Sequence, residues 1–432
     1  MVAANSYQPG RAWSVTLLLA LFMHINFVDK IGIGLVAVPM MDELKLSPTE
    51  YGVIAGSFFW LFAVSGIVGG FLANRFHAKP MLLVMVAIWS VAQLPIIFSS
   101  SVVMIVISRV LLGIGEGPAS PVAFHACYKW FPDHKRNLPI SVINLGSGLG
   151  LLVAGIGMPL ITANWGWRAN FIAMAIVGVV WGVSWLIFGA EGNVVTDTAL
   201  NAGAMDGRGK PGRLPYGVLL RDSTVVGVIV MHFVAYWGLA LTLTWLPAYM
   251  QKGLSFDAVT SGQLFAATVV IGIPLSLGLS GWSQRMLSCG VSARMGRAVL
   301  CSMALLAGGL LFLALPWLPL EGSQKVILLA VASGLTPVIY SLGSAMMGSV
   351  TPDSQRGSML AIENSIASLA GVFAPVVMGN LIEYSAGPIA MGYERGFAVS
   401  GALLIVGALT GLIWVNPERS IRRLASISQA AV

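Results

Sequence analysis

Asp29, Lys30, Arg109 and Glu116 interrupt long apolar runs, and their types name a chemistry. An Arg and a Lys held away from water can take a carboxylate, the Arg through two parallel hydrogen bonds. An Asp and a Glu beside them can carry protons. Each such charge costs about 2.5–3.5 kcal/mol at the centre of an apolar span, so it persists where it has a partner or a task. Arg109 and Glu116 are seven residues apart and share one helix face, about 10.5 Å apart along its axis. Two readings coexist. Arg109 with Lys30 receives a substrate carboxylate, or Asp29–Arg109 and Lys30–Glu116 pairs simply fix two helices. Glu116 lies among Gly113, Gly115, Gly117 and Pro118, a run that thins the helix and frees a backbone carbonyl. An apolar setting favours its protonated form, which suits a group that cycles a proton.

The elements that must hold these charges follow from composition. Of 432 residues, 57% are hydrophobic and 9% charged, with a mean hydropathy of +0.85. Soluble domains carry about 25% charged residues, so a soluble enzyme, a disordered chain and a nucleic-acid-binding domain are all excluded. Apolar runs predict helices over 13–40, 49–73, 81–100, 102–127, 137–163, 170–190, 223–250, 257–283, 298–317, 326–350, 358–384 and 396–415. No ten-residue alternation of a membrane barrel is visible. The expectation is an all-α membrane protein with twelve transmembrane helices. It divides into a six-helix bundle over 1–190, a linker over 191–222, a second bundle over 223–415 and a tail over 416–432. The first run continues too far for a cleavable signal and is read as a retained span.

Lys and Arg set the orientation: 17 fall on the side of the N-terminus, 5 on the other, and Lys30 and Arg109 lie inside spans. Both termini are therefore expected in the cytoplasm, and the basic balance reflects an anionic leaflet rather than nucleic acid. The three cysteines, Cys127, Cys289 and Cys301, have no framework spacing and are read as packing thiols. Neither a phosphate-binding loop nor a metal cluster is apparent, and there is no room for an ATPase domain. No cofactor is expected, and a proton gradient is the expected driving force, with sodium coupling the weaker option because broken, carbonyl-lined segments are not obvious.

The halves repeat weakly. A shift of 208 lays His24, Pro39, Leu46 and Ser47 onto His232, Pro247, Leu254 and Ser255. A shift of 220 lays Pro132, Asp133, Arg136 and Asn144 onto Pro352, Asp353, Arg356 and Asn364. Duplicated six-helix bundles are expected, with a substrate site near the midplane reached alternately from each side.

The whole chain resembles the major facilitator superfamily, in particular its anion:cation symporter branch of sugar-acid and aromatic-acid permeases. The residues behind the resemblance are 26–30 (Asn-Phe-Val-Asp-Lys), Arg109 with Glu116-Gly117-Pro118, Trp130-Phe131-Pro132, Gly166-Trp167-Arg168 and Thr244-Trp245-Leu246-Pro247. It implies Asp29 and Glu116 as the proton-coupling pair. It also implies Arg109, Lys30, His232 and Asn364 as substrate contacts. Phe27 and Phe62 stand where sugar-acid permeases tend to carry Tyr, and Ser344 where they carry a bulky aromatic. These changes favour a less hydroxylated or aromatic carboxylate. Asn74 replaces the Asp of the loop pattern between helices 2 and 3, and Asn74, Arg75, Arg136 and Arg356 are the expected gating residues.

The expected function is proton-coupled uptake of a small organic acid by a monomer in the bilayer of a bacterial inner membrane. Its rivals are an exchanger or efflux carrier of the same fold, and a sensor that binds an acid without moving it. His24, Glu363 and the aromatic stripe of helix 2 read mainly as packing or gate-facing residues.

Overall fold

The computed structural model describes residues 8–73, 75–132, 135–192, 214–352 and 355–430. Twelve helices are long and apolar enough to cross a membrane. They are α1 (Pro9–Leu35), α2 (Pro48–Ala73), α3 (Ala78–Phe98), α4 (Val102–Tyr128), α5 (Leu138–Trp165) and α6 (Arg168–Phe188). The rest are α7 (Ser223–Thr244), α8 (Ala258–Ser288), α9 (Arg294–Ala314), α10 (Gly322–Val350), α11 (Arg356–Glu383) and α12 (Ile389–Trp414). No strand occurs among the described residues.

Every expected span is present, and the differences lie at helix ends. The seventh stops at Thr244, short of residue 250, and the chain continues through a short turn into a π-helical turn over Tyr249–Gly253. Pro247 supplies no N–H to the ladder, which accounts for the interruption. The twelfth begins at Ile389 behind Pro388, earlier than residue 396, and so takes in Glu394 and Arg395. The tail forms a further helix, α13 (Pro417–Ala430). Its Ser420 hydroxyl lies 2.7 Å from both Asp222 Oδ1 and Thr224 Oγ1 at the start of α7.

The chain forms two compact units: Met1–Met40 with Ser57–Gly209, and Met41–Gly56 with Lys210–Val432. The first turns of α2 belong with the second unit because Gly52 and Gly56 lie directly on the α11 backbone at Pro375 and Val372. Tyr51 OH also donates to Thr244 O at 2.9 Å.

In the first unit, α1 packs most extensively on α5. Gly146 and Gly150 make this possible, since a Cβ at either would strike the Ala20 or His24 carbonyl. α4 meets the later part of α2 in the same way. Gly113 lies against the Phe58 carbonyl, and Gly117 against the Phe62 carbonyl and the Ser65 hydroxyl. The helix of α4 runs Val102–Glu116, breaks at Gly117-Pro118 and resumes over Ala119–Tyr128. The glycines around Glu116 thus serve close packing as well as the weakness expected of the segment.

Candidate functional site

The close approach of α2 and α4 sets aromatic rings around the buried charges of the first unit. Asp29, Arg109 and Glu116 are each exposed by 2% or less, and the Lys30 side chain by 12%. Lys30 Nζ donates to Asn26 Oδ1, one turn earlier on α1, at 2.7 Å. Glu116 Oε2 is 3.8 Å from the same ammonium, an ion pair too long for a hydrogen bond. Neither Glu116 oxygen has a hydrogen-bond partner. The ammonium also stands over the rings of Phe27 (4.5 Å) and Phe62 (5.3 Å), and the Arg109 guanidinium over Phe58 (4.9 Å). Asp29 Oδ1 accepts from Gln93 Nε2 of α3 at 3.2 Å and interacts electrostatically with Arg109 and Lys30.

Six of the expected residues therefore come together: Asp29, Lys30, Arg109, Glu116, Phe27 and Phe62. The Lys30–Glu116 pairing weighed from sequence is present, and it leaves the carboxylate under-satisfied. Gln93 was missed, Asn26 was noted only as part of the 26–30 motif, and Phe58, in the helix-2 stripe read as packing, lies under the Arg109 guanidinium. Asn26 sits four residues before Lys30, and Gln93 is a lone amide in an apolar run next to Leu94-Pro95; both were legible as signals.

The expected residues of the second unit divide. His232, on α7, is 4% exposed and has its Nδ1 2.9 Å from Glu363 Oε1 of α11. Its ring lies 4.8 Å from that of Tyr340 on α10. Glu363, expected to face a gate, is instead buried on this histidine. Asn364 is exposed, and Ser344 is half-buried on α10.

Of the gating residues, Asn74 lies outside the described residues, as do Asp133 and Asp353 of the repeated motif. Arg75 is exposed. Arg136 donates to the carbonyls of Phe131 and Tyr128, both at 3.1 Å, and Arg356 to that of Gly348 at 2.9 Å. Tyr128 and Gly348 are each eight residues before their arginine, so the shift of 220 carries one hydrogen bond onto the other. The two arginines close the C-terminal ends of α4 and α10, where orphan carbonyls need donors.

Glu191, just beyond α6, gathers the neighbouring helix ends. It accepts from Lys129 and from the Ala78 and Lys79 N–H groups that open α3. Partial burial pushes its carboxyl up, yet these donors outweigh burial and hold it below its ordinary value.

Among the described residues no group of three or more His, Cys, Asp and Glu could hold a metal ion. Cys127 and Cys301 are buried free thiols and Cys289 an exposed one.

A family model described as Major Facilitator Superfamily matches residues 17–323. A probable sulfoacetate transporter of Cupriavidus necator is 29% identical over 92% of this chain and 92% of its own length. The hexuronate transporter of Bacillus subtilis is 27% identical over 93% and 94% of the two chains. The crystal structure of a D-xylose-proton symporter superposes with a TM-score of 0.73 at 18% identity, covering 94% of this chain and 99% of that one.

Proposed function

This chain belongs to the Major Facilitator Superfamily, and from that premise we propose that it is a proton-coupled importer of an organic carboxylate. It would work by alternating access in a bacterial inner membrane, with both termini cytoplasmic. Its relatives include transporters of organic anions, a sulfoacetate carrier and a hexuronate carrier among them.

The observation that carries the reading is the under-satisfied Glu116 beside Lys30. With Glu116 ionised, the ammonium is held by Glu116 and Asn26. With Glu116 protonated, the ion pair is gone and Lys30 can turn to a substrate carboxylate. Proton and anion then bind together because each removes the other's obstacle. Arg109 supplies the bidentate contact, and Asp29 is the second proton-coupling group, oriented by Gln93. Phe27, Phe58 and Phe62 line the cationic groups with ring faces and no hydroxyl. That supports an acid with a flat or small apolar body over a polyhydroxylated one. His232, Asn364 and Ser344 are further substrate contacts by resemblance.

Energetics favour coupling. An anion entering against an inside-negative potential is opposed by about 2.3 kcal/mol per charge per 100 mV. One proton cancels that for a monovalent acid, and a second makes the potential helpful.

The test is uptake by reconstituted protein. Sulfoacetate, hexuronates, aromatic acids and small mono- and dicarboxylates are offered with and without an inward proton gradient. Gradient-dependent accumulation of one class supports the reading. Counterflow that needs Arg109 but ignores the gradient indicates an exchanger, and binding without flux indicates a sensor.

A further inference from the structure

In the second unit, the start of α7, the last turn of α12 and α13 surround a cavity of about 490 Å³. That is the size of a small-molecule site, about 300–1,000 Å³. Its wall has two characters. Ile413 and Trp414, in the last turn of α12, are 67% and 46% exposed. Arg419 and Arg423, one turn apart on α13, bring positive charge.

We propose that this cavity binds the headgroup of an anionic phospholipid, with Arg419 and Arg423 on the phosphate and Ile413 and Trp414 beside the acyl chains. The inference lies outside the transport reading and does not depend on it.

The arginines are presented by the way α13 is held. Residues four apart share a helix face, which puts Arg419 and Arg423 side by side. Ser420 and Leu424 are buried, whereas Arg419, Arg422 and Arg423 are exposed. Ser420 Oγ lies 2.7 Å from both Asp222 Oδ1 and Thr224 Oγ1, and Asn416 N donates to Thr224 Oγ1 at 3.0 Å. Arg419 is fixed in turn, its Nη2 donating to Ser223 Oγ at 2.7 Å and to Trp414 O at 2.9 Å. Both bonds come from one nitrogen of a five-donor group, which leaves the rest of the fork for an anion. The Arg423 guanidinium has no hydrogen-bond partner among the described residues.

The charges on the wall do not cancel. Asp222 is the one carboxylate lining the cavity among the described residues, and its Oδ1 is engaged by the N–H groups of Thr224 and Val225 and by Ser420. Two guanidiniums against one carboxylate leave a net charge of +1. Like charges one turn apart repel, and a phosphate accepting from both turns that repulsion into attraction.

The apolar wall decides between a lipid and a free phosphate. Ile413 and Trp414 close a span of mean hydropathy 2.1, and Trp is enriched where spans meet the headgroups. A free phosphate gains nothing from that surface, whereas a phospholipid meets the arginines and the apolar side chains at once. The Lys and Arg count assigns this end to the cytoplasmic leaflet, where acidic lipids lie and basic pockets bind their headgroups.

The experiment measures lipid retention. Purified full-length protein in neutral detergent is titrated with dioleoylphosphatidylglycerol or dioleoylphosphatidylcholine, and bound lipid is counted by native mass spectrometry. Wild type should retain one phosphatidylglycerol at concentrations where phosphatidylcholine does not bind. Arg423→Gln removes none of the hydrogen bonds that dock α13 and should weaken phosphatidylglycerol about fivefold, the worth of one basic side chain at an anionic surface. Adding Arg419→Gln should weaken it further, and if that double variant does not purify, Arg423→Gln alone decides. Arg285→Gln, at an exposed arginine near the end of α8, should leave binding unchanged. Equal retention of the two lipids overturns the proposal. So does a loss in Arg285→Gln as large as in Arg423→Gln, because binding is then diffuse. If inorganic phosphate displaces phosphatidylglycerol and raises Tm on its own, the site belongs to a free anion and the lipid assignment falls.

Discussion

Replacing Glu116 by Gln isolates the step in which a proton frees Lys30. The ammonium and Oε2 are 3.8 Å apart. Coulomb's law at an effective dielectric of about 20 makes that attraction about 4 kcal/mol. Converted at about 1.4 kcal/mol per decade, it sets a ceiling of about a thousandfold on the affinity released when the pair is broken. Asn26 still holds the ammonium at 2.7 Å, so the measured gain will be smaller than that ceiling. The acid identified by the uptake panel is titrated into wild type and Glu116→Gln near neutral pH and at acid pH. Wild-type affinity should rise as pH falls, because protonation does what the substitution does permanently. Glu116→Gln should bind tightly at both values and lose gradient-driven accumulation. A variant with wild-type pH dependence of binding would falsify the competition between Glu116 and substrate for Lys30.

Four further outcomes follow from the packing. Gly113→Val or Gly117→Val drives a Cβ into the α2 backbone and should cost about 1–3 kcal/mol or more, read as a lower Tm and poor recovery. Glu394→Gln breaks the Lys325–Glu394 pair, 2.6 Å long and joined by Tyr249 OH at 2.9 Å. It should cost about 3–5 kcal/mol, whereas Lys325→Met with Glu394→Leu should be far milder, since no charge is left alone. The Glu191 carboxyl is held below its ordinary value, so its stabilisation is complete above about pH 4.3 and fades as pH falls through the lowered value. Tm should drop in that acid window for wild type, and Glu191→Gln should flatten the drop. Gln93→Leu removes the donor on Asp29 and should impair uptake more than it lowers Tm.

Much of this was legible in the residues. The spans were readable because runs of apolar side chains bounded by Lys and Arg leave a bilayer-length helix little alternative. The quartet was readable because buried charge is costly enough to need a reason, and Pro118 marked the break in α4. Helix ends were harder. The interruption after Thr244 depends on how Pro247 is accommodated, and the early start of α12 places Glu394 against Lys325 and Tyr249, a partnership remote in sequence. The His232–Glu363 contact was missed for the same reason. The two residues are separated by 131 positions, and nothing local to Glu363 reveals which helix it meets. Amides such as Gln93 and Asn26 stand out in an apolar run, but the charge each one serves, Asp29 or Lys30, is settled only by packing.

The most direct measurement is the pH of a weakly buffered suspension of proteoliposomes at the moment the organic acid is added. Proton-coupled entry predicts alkalinisation of the medium in step with uptake, abolished in Glu116→Gln and in Arg109→Met. Uptake at full rate with no change in external pH would contradict the account.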